Sequence, residues 1–157
     1  KMGYAVITVK PSLDTRYGNI DEIHSHDNTS CPAIVIDHLH PEEIIHTAHD
    51  HKVNKIIIDE AQFFEKTSLL TTISTLLSEG IDVYAAGILY DFQKQPFGAM
   101  IDIKNQAHEH IELYAICQKC GRLATLSERT SQNKDLIDIG ASDKYIAVCE
   151  SCHEIHN

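Results

Sequence analysis

Residues 55–86 read KIIIDEAQFFEKTSLLTTISTLLSEGIDVYAA. Residues 55–58 are a short run dominated by β-branched side chains, the pattern of a buried strand. Leu69, Leu70, Ile73, Leu76 and Leu77 then recur at helical spacing, and Gly80 stands where such a helix stops. Residues 81–86 open another strand. A strand, a helix of ten or more residues and a second strand make a right-handed βαβ unit, whose strands are parallel.

Upstream of this stretch the same alternation continues. GYAVITV at 3–9 predicts a strand ended by Lys10-Pro11, and the loop at 11–19 carries Asp14, Arg16 and Tyr17. Residues 33–36 predict another strand. Pro41, Glu42 and Glu43 then open a helix, because proline and acids suit a helix N-terminus, with Ile44, Ile45 and Ala48 as its inward face. The expected fold is α/β, a parallel sheet covered by helices. Ligands of such sheets gather at the carboxyl ends of the strands, which would bring Asp14, Asp59, Glu60 and the segment 88–98 together. From Glu112 onward the pattern changes to short strands around cysteine pairs, so 1–112 reads as an α/β core and 113–157 as an appended module.

The chain has 157 residues, a net charge of −10 and only 13 Lys plus Arg. No broad basic surface is available to neutralise a nucleic-acid backbone, so nucleic acid is not expected as a partner. No run approaches the ~18 apolar residues of a membrane span, and the first ten residues do not read as a secretory signal. A soluble, cytoplasmic chain is expected.

Asp59 and Glu60 end the apolar strand as an adjacent pair of carboxylates. This is the form of a Walker B element, in which the Asp orders Mg²⁺ and the neighbouring Glu handles a proton. The alternative is a pair of acids that simply begins the next helix. The tetrapeptide Asp59-Glu60-Ala61-Gln62 also occurs in helicase motors, but those need two such domains and basic grooves that this chain does not offer.

Cys117, Cys120, Cys149 and Cys152 form C-x2-C, twenty-eight intervening residues, then C-x2-C. Two thiolates separated by two residues turn toward one ion, and a second pair completes the tetrahedron Zn²⁺ prefers. Disulfides would suit a secreted scaffold, which nothing else in the chain suggests. Cys149 to His153 also spells C-x-x-C-H, the haem-attachment pattern, but haem would leave the first pair without a purpose. Cys31 reads as an ordinary thiol. Among eleven histidines, His46 and His49 have a metal-binding spacing on a helix, without acids or thiols on the same face to complete a site.

Taken in order, these motifs resemble the type II, zinc-containing thymidine kinases. The resemblance rests on Lys10-Pro11 with Asp14-Thr15-Arg16-Tyr17, on Ile58 to Phe64, on Asp91-Phe92 before Pro96-Phe97-Gly98, on the four cysteines, and on Gly140 five residues before Tyr145. It implies a P-loop-kinase-like core with a C-terminal zinc-ribbon lid and a lasso loop over the nucleoside. It further implies Mg²⁺-ATP-dependent transfer of the γ-phosphoryl group to the 5′-hydroxyl of thymidine, and of deoxyuridine, in nucleoside salvage for DNA synthesis. Glu60 then matches the general base, and Asp59, Asp14 and Arg16 match residues at the metal and phosphates, where arginine's planar fork suits phosphate oxygens. Phe63, Ile88, Phe92 and Phe97 match the wall around base and sugar, and Ser127 a hydroxyl bordering the base. Ile137, Asp138, Ile139 and Gly140 fall in the lasso, supported by Tyr145. The four-thiolate zinc is expected to be structural, holding the feet of the lasso. Feedback binding of thymidine triphosphate and a homotetramer are implied in the same way.

The sequence departs from the family pattern in three places. No G-x-x-x-x-G-K-[ST] occurs, which leads to the expectation of a chain lacking its N-terminal phosphate loop, and of activity that requires that segment. Leu89 stands where many relatives carry an acid, and Ala141 replaces the second of two lasso glycines. The alternative from another class is a catalytically silent zinc-ribbon homologue that binds nucleotide or protein without turnover.

Overall fold

A computed structural model describes residues 5–12, 22–24, 30–130 and 145–154. In chain order the elements are β1 (Val6–Ser12), β2 (Glu22–His24), β3 (Ser30–Pro32), β4 (Ile34–Asp37), α1 (Glu43–Asp50), β5 (Lys55–Ile58) and α2 (Lys66–Ser78). They continue with β6 (Asp82–Ala85), α3 (Met100–Gln106), β7 (Ala115–Ile116), β8 (Leu123–Ala124), β9 (Leu126–Arg129) and β10 (Tyr145–Val148). Four strands form one sheet in the order β4-β1-β5-β6, with every neighbouring pair parallel. That is the arrangement the alternating pattern predicts.

The expected strand at 3–9 runs past its anticipated stop, through Pro11 to Ser12. Val6–Val9 pair with β5, and Val9–Ser12 pair with β4. Pro11 therefore lies where only one neighbour is paired, a place that tolerates a missing backbone donor.

Val9, Ile56 and Ile58 from the sheet pack with Ile44 and Ala48 of α1 and Leu69 and Leu76 of α2. Each fully buried Val, Ile or Leu among them stabilises the fold by about 2 kcal/mol. On α2 the buried line is Leu69, Thr72 and Leu76, while Leu77 is 46% exposed. Leu70 and Ile73 flank that line, partly buried against the core, so of the five expected residues Leu77 alone turns outward. α2 ends as expected, on Gly80 with φ of +79° and with Ile81 N–H donating to Leu76 O at 3.0 Å. Helix α3 and the β2–β3 hairpin carry no strong periodic signal in the sequence and were not expected.

Past residue 112 the chain forms two small antiparallel pairs, β7–β8 and β9–β10. One cysteine pair lies between β7 and β8, and the other follows β10. Among the described residues no helix is long and apolar enough to cross a membrane.

Candidate active site and metal centre

The carboxyl end of β5 is pinned on both sides. Asp59 N–H donates to Val9 O at 2.9 Å, while Ala86 N–H donates to Ile58 O at 2.8 Å and Ala61 N–H to Ala86 O at 2.9 Å. Between these anchors Glu60 adopts the left-handed conformation, φ 51° and ψ 39°. For a residue with a Cβ this costs about 1 kcal/mol, and such strain concentrates where a side chain must point in one direction. A 3-10 turn, Ala61–Phe63, follows. The acid that begins α2 is Glu65, whose carboxylate accepts from Thr67 N–H at 3.1 Å and Ser68 N–H at 2.7 Å. Asp59 and Glu60 thus precede the helix and do not cap it.

Glu60 remains accessible, yet the protein crowded around its carboxyl disfavours the charged form and raises its pKa above the ordinary 4.5. A hydrogen bond from Gln62 opposes this rise, and the neighbouring charge of Asp59 adds to it. A carboxyl with a raised pKa at an accessible strand end suits proton transfer.

The segment after β6 carries Ile88, Phe92 and Phe97. Phe63 and Phe97 meet edge to face, with centroids 5.3 Å apart. Phe97 N–H donates to Leu89 O at 3.0 Å, and Asp91 N–H to Gln95 O at 2.9 Å, so 89–97 is a small hairpin-like turn. Buried Asp91 closes its tip by accepting from Gln93 N–H at 2.8 Å and Gln95 N–H at 2.9 Å. Ile88 is exposed at the base of this turn. Leu89, which stands in an expected acid's place, packs against the core.

The cysteine module grips the same turn. His153 Nε2 donates to Phe92 O at 3.0 Å, and Lys94 Nζ pairs with Glu150 at 2.6 Å. The Arg129 guanidinium lies 3.9 Å from the centroid of Phe92, and its Nε donates to the Tyr145 hydroxyl at 3.1 Å. Phe92 and Tyr145 are themselves 6.3 Å apart. Ser127 lies two residues before Arg129 on β9, hence on the same face. Arg129 and His153 were not singled out as part of this contact. The available signal was scarcity, since the chain holds three arginines and two lie in this module. His153 is half-buried, with its ring nitrogen against Phe92 O.

The sulfurs of Cys117, Cys120, Cys149 and Cys152 all lie within 4.8 Å of one another. Four thiolates about 2.3 Å from one zinc ion would stand about 3.8 Å apart, so the donor set fits that ion. Each knuckle is shaped by its own backbone: Gly121 N–H donates to Cys117 O at 2.8 Å, and Cys152 N–H to Cys149 O at 3.0 Å. Arg122 bridges the two knuckles, with Nε 3.3 Å from Cys120 Sγ and Nη2 2.7 Å from Ser151 Oγ. Its guanidinium holds the Cys120 thiol down at about 6, whereas Cys152, crowded by the neighbouring sulfurs, is pushed up to about 12. A cation relieves that crowding. Among the described residues these four cysteines are the one group of three or more ligand-type side chains within reach of a single ion. His49 pairs instead with Glu79 at 2.7 Å.

Asp14, Arg16, Ile137, Asp138, Ile139, Gly140 and Ala141 lie outside the described residues.

An open parallel sheet with a carboxylate pair at a strand end and a four-cysteine module packed against the adjoining turn define an α/β protein with an appended cysteine module. The thymidine kinase family profile matches residues 1–153. The chain is 34% identical over 148 residues to a thymidine kinase of Pseudothermotoga lettingae, covering 94% of this chain and 77% of that one. It is 35% identical over 145 residues to a thymidine kinase of Bacteroides fragilis, covering 92% and 70%. A thymidine kinase of Mesoplasma florum is 35% identical over 158 residues, covering 96% and 77%. The chain belongs to the thymidine kinase family.

Proposed function

We propose that the protein is a thymidine kinase that transfers the γ-phosphoryl group of ATP to the 5′-hydroxyl of thymidine and of deoxyuridine, in nucleoside salvage. The observation that carries this reading is the accessible, pinned Glu60 at the carboxyl end of β5, in a chain whose family match runs from end to end of the described core and module. Glu60 accepts the proton of the attacking hydroxyl, and its raised pKa strengthens it as a base. Asp59 is the residue to hold Mg²⁺, which when bound with ATP neutralises charge on the phosphates. Asp14 and Arg16 meet the phosphates. Phe63, Ile88, Phe92, Phe97 and Ser127 line the nucleoside, and residues 137–140 close over it with Tyr145 at their foot. Residues 1–112 form the nucleotide-binding core and 113–157 the lid, held by a structural zinc with no open position for water. Feedback by thymidine triphosphate, a homotetramer and a cytoplasmic location belong to the same reading.

Transfer also needs backbone amides and a lysine around the β- and γ-phosphates, and no G-x-x-x-x-G-K-[ST] lies within the 157 residues. The assay is transfer of labelled phosphate from ATP to thymidine by zinc-loaded protein. Residues 1–157 alone should bind nucleoside without measurable turnover. Turnover should appear once a P-loop strand and helix are supplied ahead of Lys1. A folded, zinc-loaded protein with that segment and no activity on any nucleoside would remove the reading in favour of a silent homologue.

A further inference from the structure

Gln62 is only 4% exposed, although it lies two residues from the accessible Glu60. Its amide nitrogen donates to Oε2 of Glu60. Its amide oxygen faces the backbone N–H of Ile88 at 3.4 Å. Two glycines close over this one residue. A Cβ on Gly87 would overlap Gln62 Oε1 and come 2.8 Å from Met100 Sδ, and a Cβ on Gly98 would overlap the Gln62 carbonyl oxygen and come 2.9 Å from its carbonyl carbon. Both ends of the segment that carries Ile88, Phe92 and Phe97 therefore converge on the residue that holds the Glu60 carboxylate.

The geometry points to Gln62 as a positioning residue that locks the Glu60 carboxylate in one orientation against the nucleoside wall. This rests on the reading of Glu60 as the general base. A carboxylate on an exposed left-handed residue is free to rotate; the Gln62 amide engages Oε2 and leaves Oε1 to receive the proton. The donor also favours the charged form, against the crowding that disfavours it and against the charge of Asp59, the charged group acting on Glu60 among the described residues. Gly87 and Gly98 let the wall approach closely enough that base and acceptor share one frame.

The test uses the zinc-loaded protein with the P-loop strand and helix supplied, carrying Gln62→Met, which removes the donor, and, in parallel, Gln62→Glu, which keeps the side chain's volume and sets a second carboxyl against Glu60. Thermal melts establish that each variant is folded. The expected result is a fall in kcat of about 10²-fold, the scale of a misplaced catalytic group, with KM for thymidine within a few-fold. The acid limb of the kcat profile should move to higher pH, because the charged form of Glu60 has lost a donor. Combining Gln62→Met with Glu60→Gln should be no slower than Glu60→Gln alone, since Gln62 acts through Glu60. Unchanged kcat in both variants overturns the proposal, as does a loss that multiplies with that of Glu60→Gln, or a change confined to KM with the acid limb unmoved. Glu60→Gln within a few-fold of the parent overturns it differently, by showing that Glu60 is not the base.

Discussion

At the scale of single residues, the two adjacent acids are separated by geometry and not by type. Asp59 continues the strand ladder, whereas Glu60 turns into the left-handed region and carries the raised pKa. With the P-loop strand and helix supplied, Glu60→Gln should keep nucleoside affinity and lower turnover by roughly 10²- to 10⁴-fold, the range for a lost general base. Asp59→Asn should instead change the Mg²⁺ concentration needed for half-maximal rate. The pH dependence has a definite sign: Glu60 works only when ionised, so kcat should fall as pH drops through a midpoint above 4.5. Steady-state kinetics across pH checks both statements, and an acid limb that survives in Glu60→Gln would assign it to another group. The same shift has a consequence for stability. The folded state holds this proton more tightly than the unfolded chain, so the contribution of Glu60 is favourable at low pH and is lost as pH rises from about 4.5 through the folded value.

At the scale of elements, legibility followed how local the cause was. Strand β5 and the glycine stop of α2 were readable because a β-branched run and a terminal glycine act within a few residues. The continuation of β1 through Pro11 and the helix α3 depend on which neighbours the fold supplies, and no periodicity encodes that. The four-cysteine cluster was legible from spacing alone, whereas Arg129 and His153 act across the chain on partners that only the fold brings near. Two glycines make the distinction measurable. Gly80 and Gly98 both have positive φ, at 79° and 54°, but a Cβ on Gly80 meets nothing within 4 Å while one on Gly98 runs into the Gln62 backbone. Gly80→Ala should therefore cost about 1 kcal/mol, the conformational term alone. Gly98→Ala should cost about 2–4 kcal/mol, since overpacking adds to it. Urea denaturation gives both values, and equal costs would show that the close approach to Gln62 is relaxed without penalty.

At the scale of the whole molecule, the cysteine module and the α/β core meet at one turn. His153 holds the main chain of Phe92, Arg129 covers its ring, and Glu150 pairs with Lys94. His153 and Glu150 lie in the second cysteine pair's turn, and Arg129 lies on β9, paired with the strand that runs into that turn. The core has its own buried set in Val9, Ile56, Ile58, Leu69 and Leu76 and draws nothing from the metal. Purified protein should carry about one zinc per chain. Removing it by chelation, or by Cys120→Ser, should free the four sulfurs to repel or oxidise and release the grip on 91–95. Thymidine affinity should then fall while the core remains folded. Hydrogen exchange localises the effect: protection should be lost over 115–129, 145–153 and the 91–95 turn, and kept in β1, β5 and α2. If affinity and protection of that turn survive without zinc, the wall is held by the core alone. Simultaneous loss of protection in β1 and β5 would show instead that core and module fold as one cooperative unit.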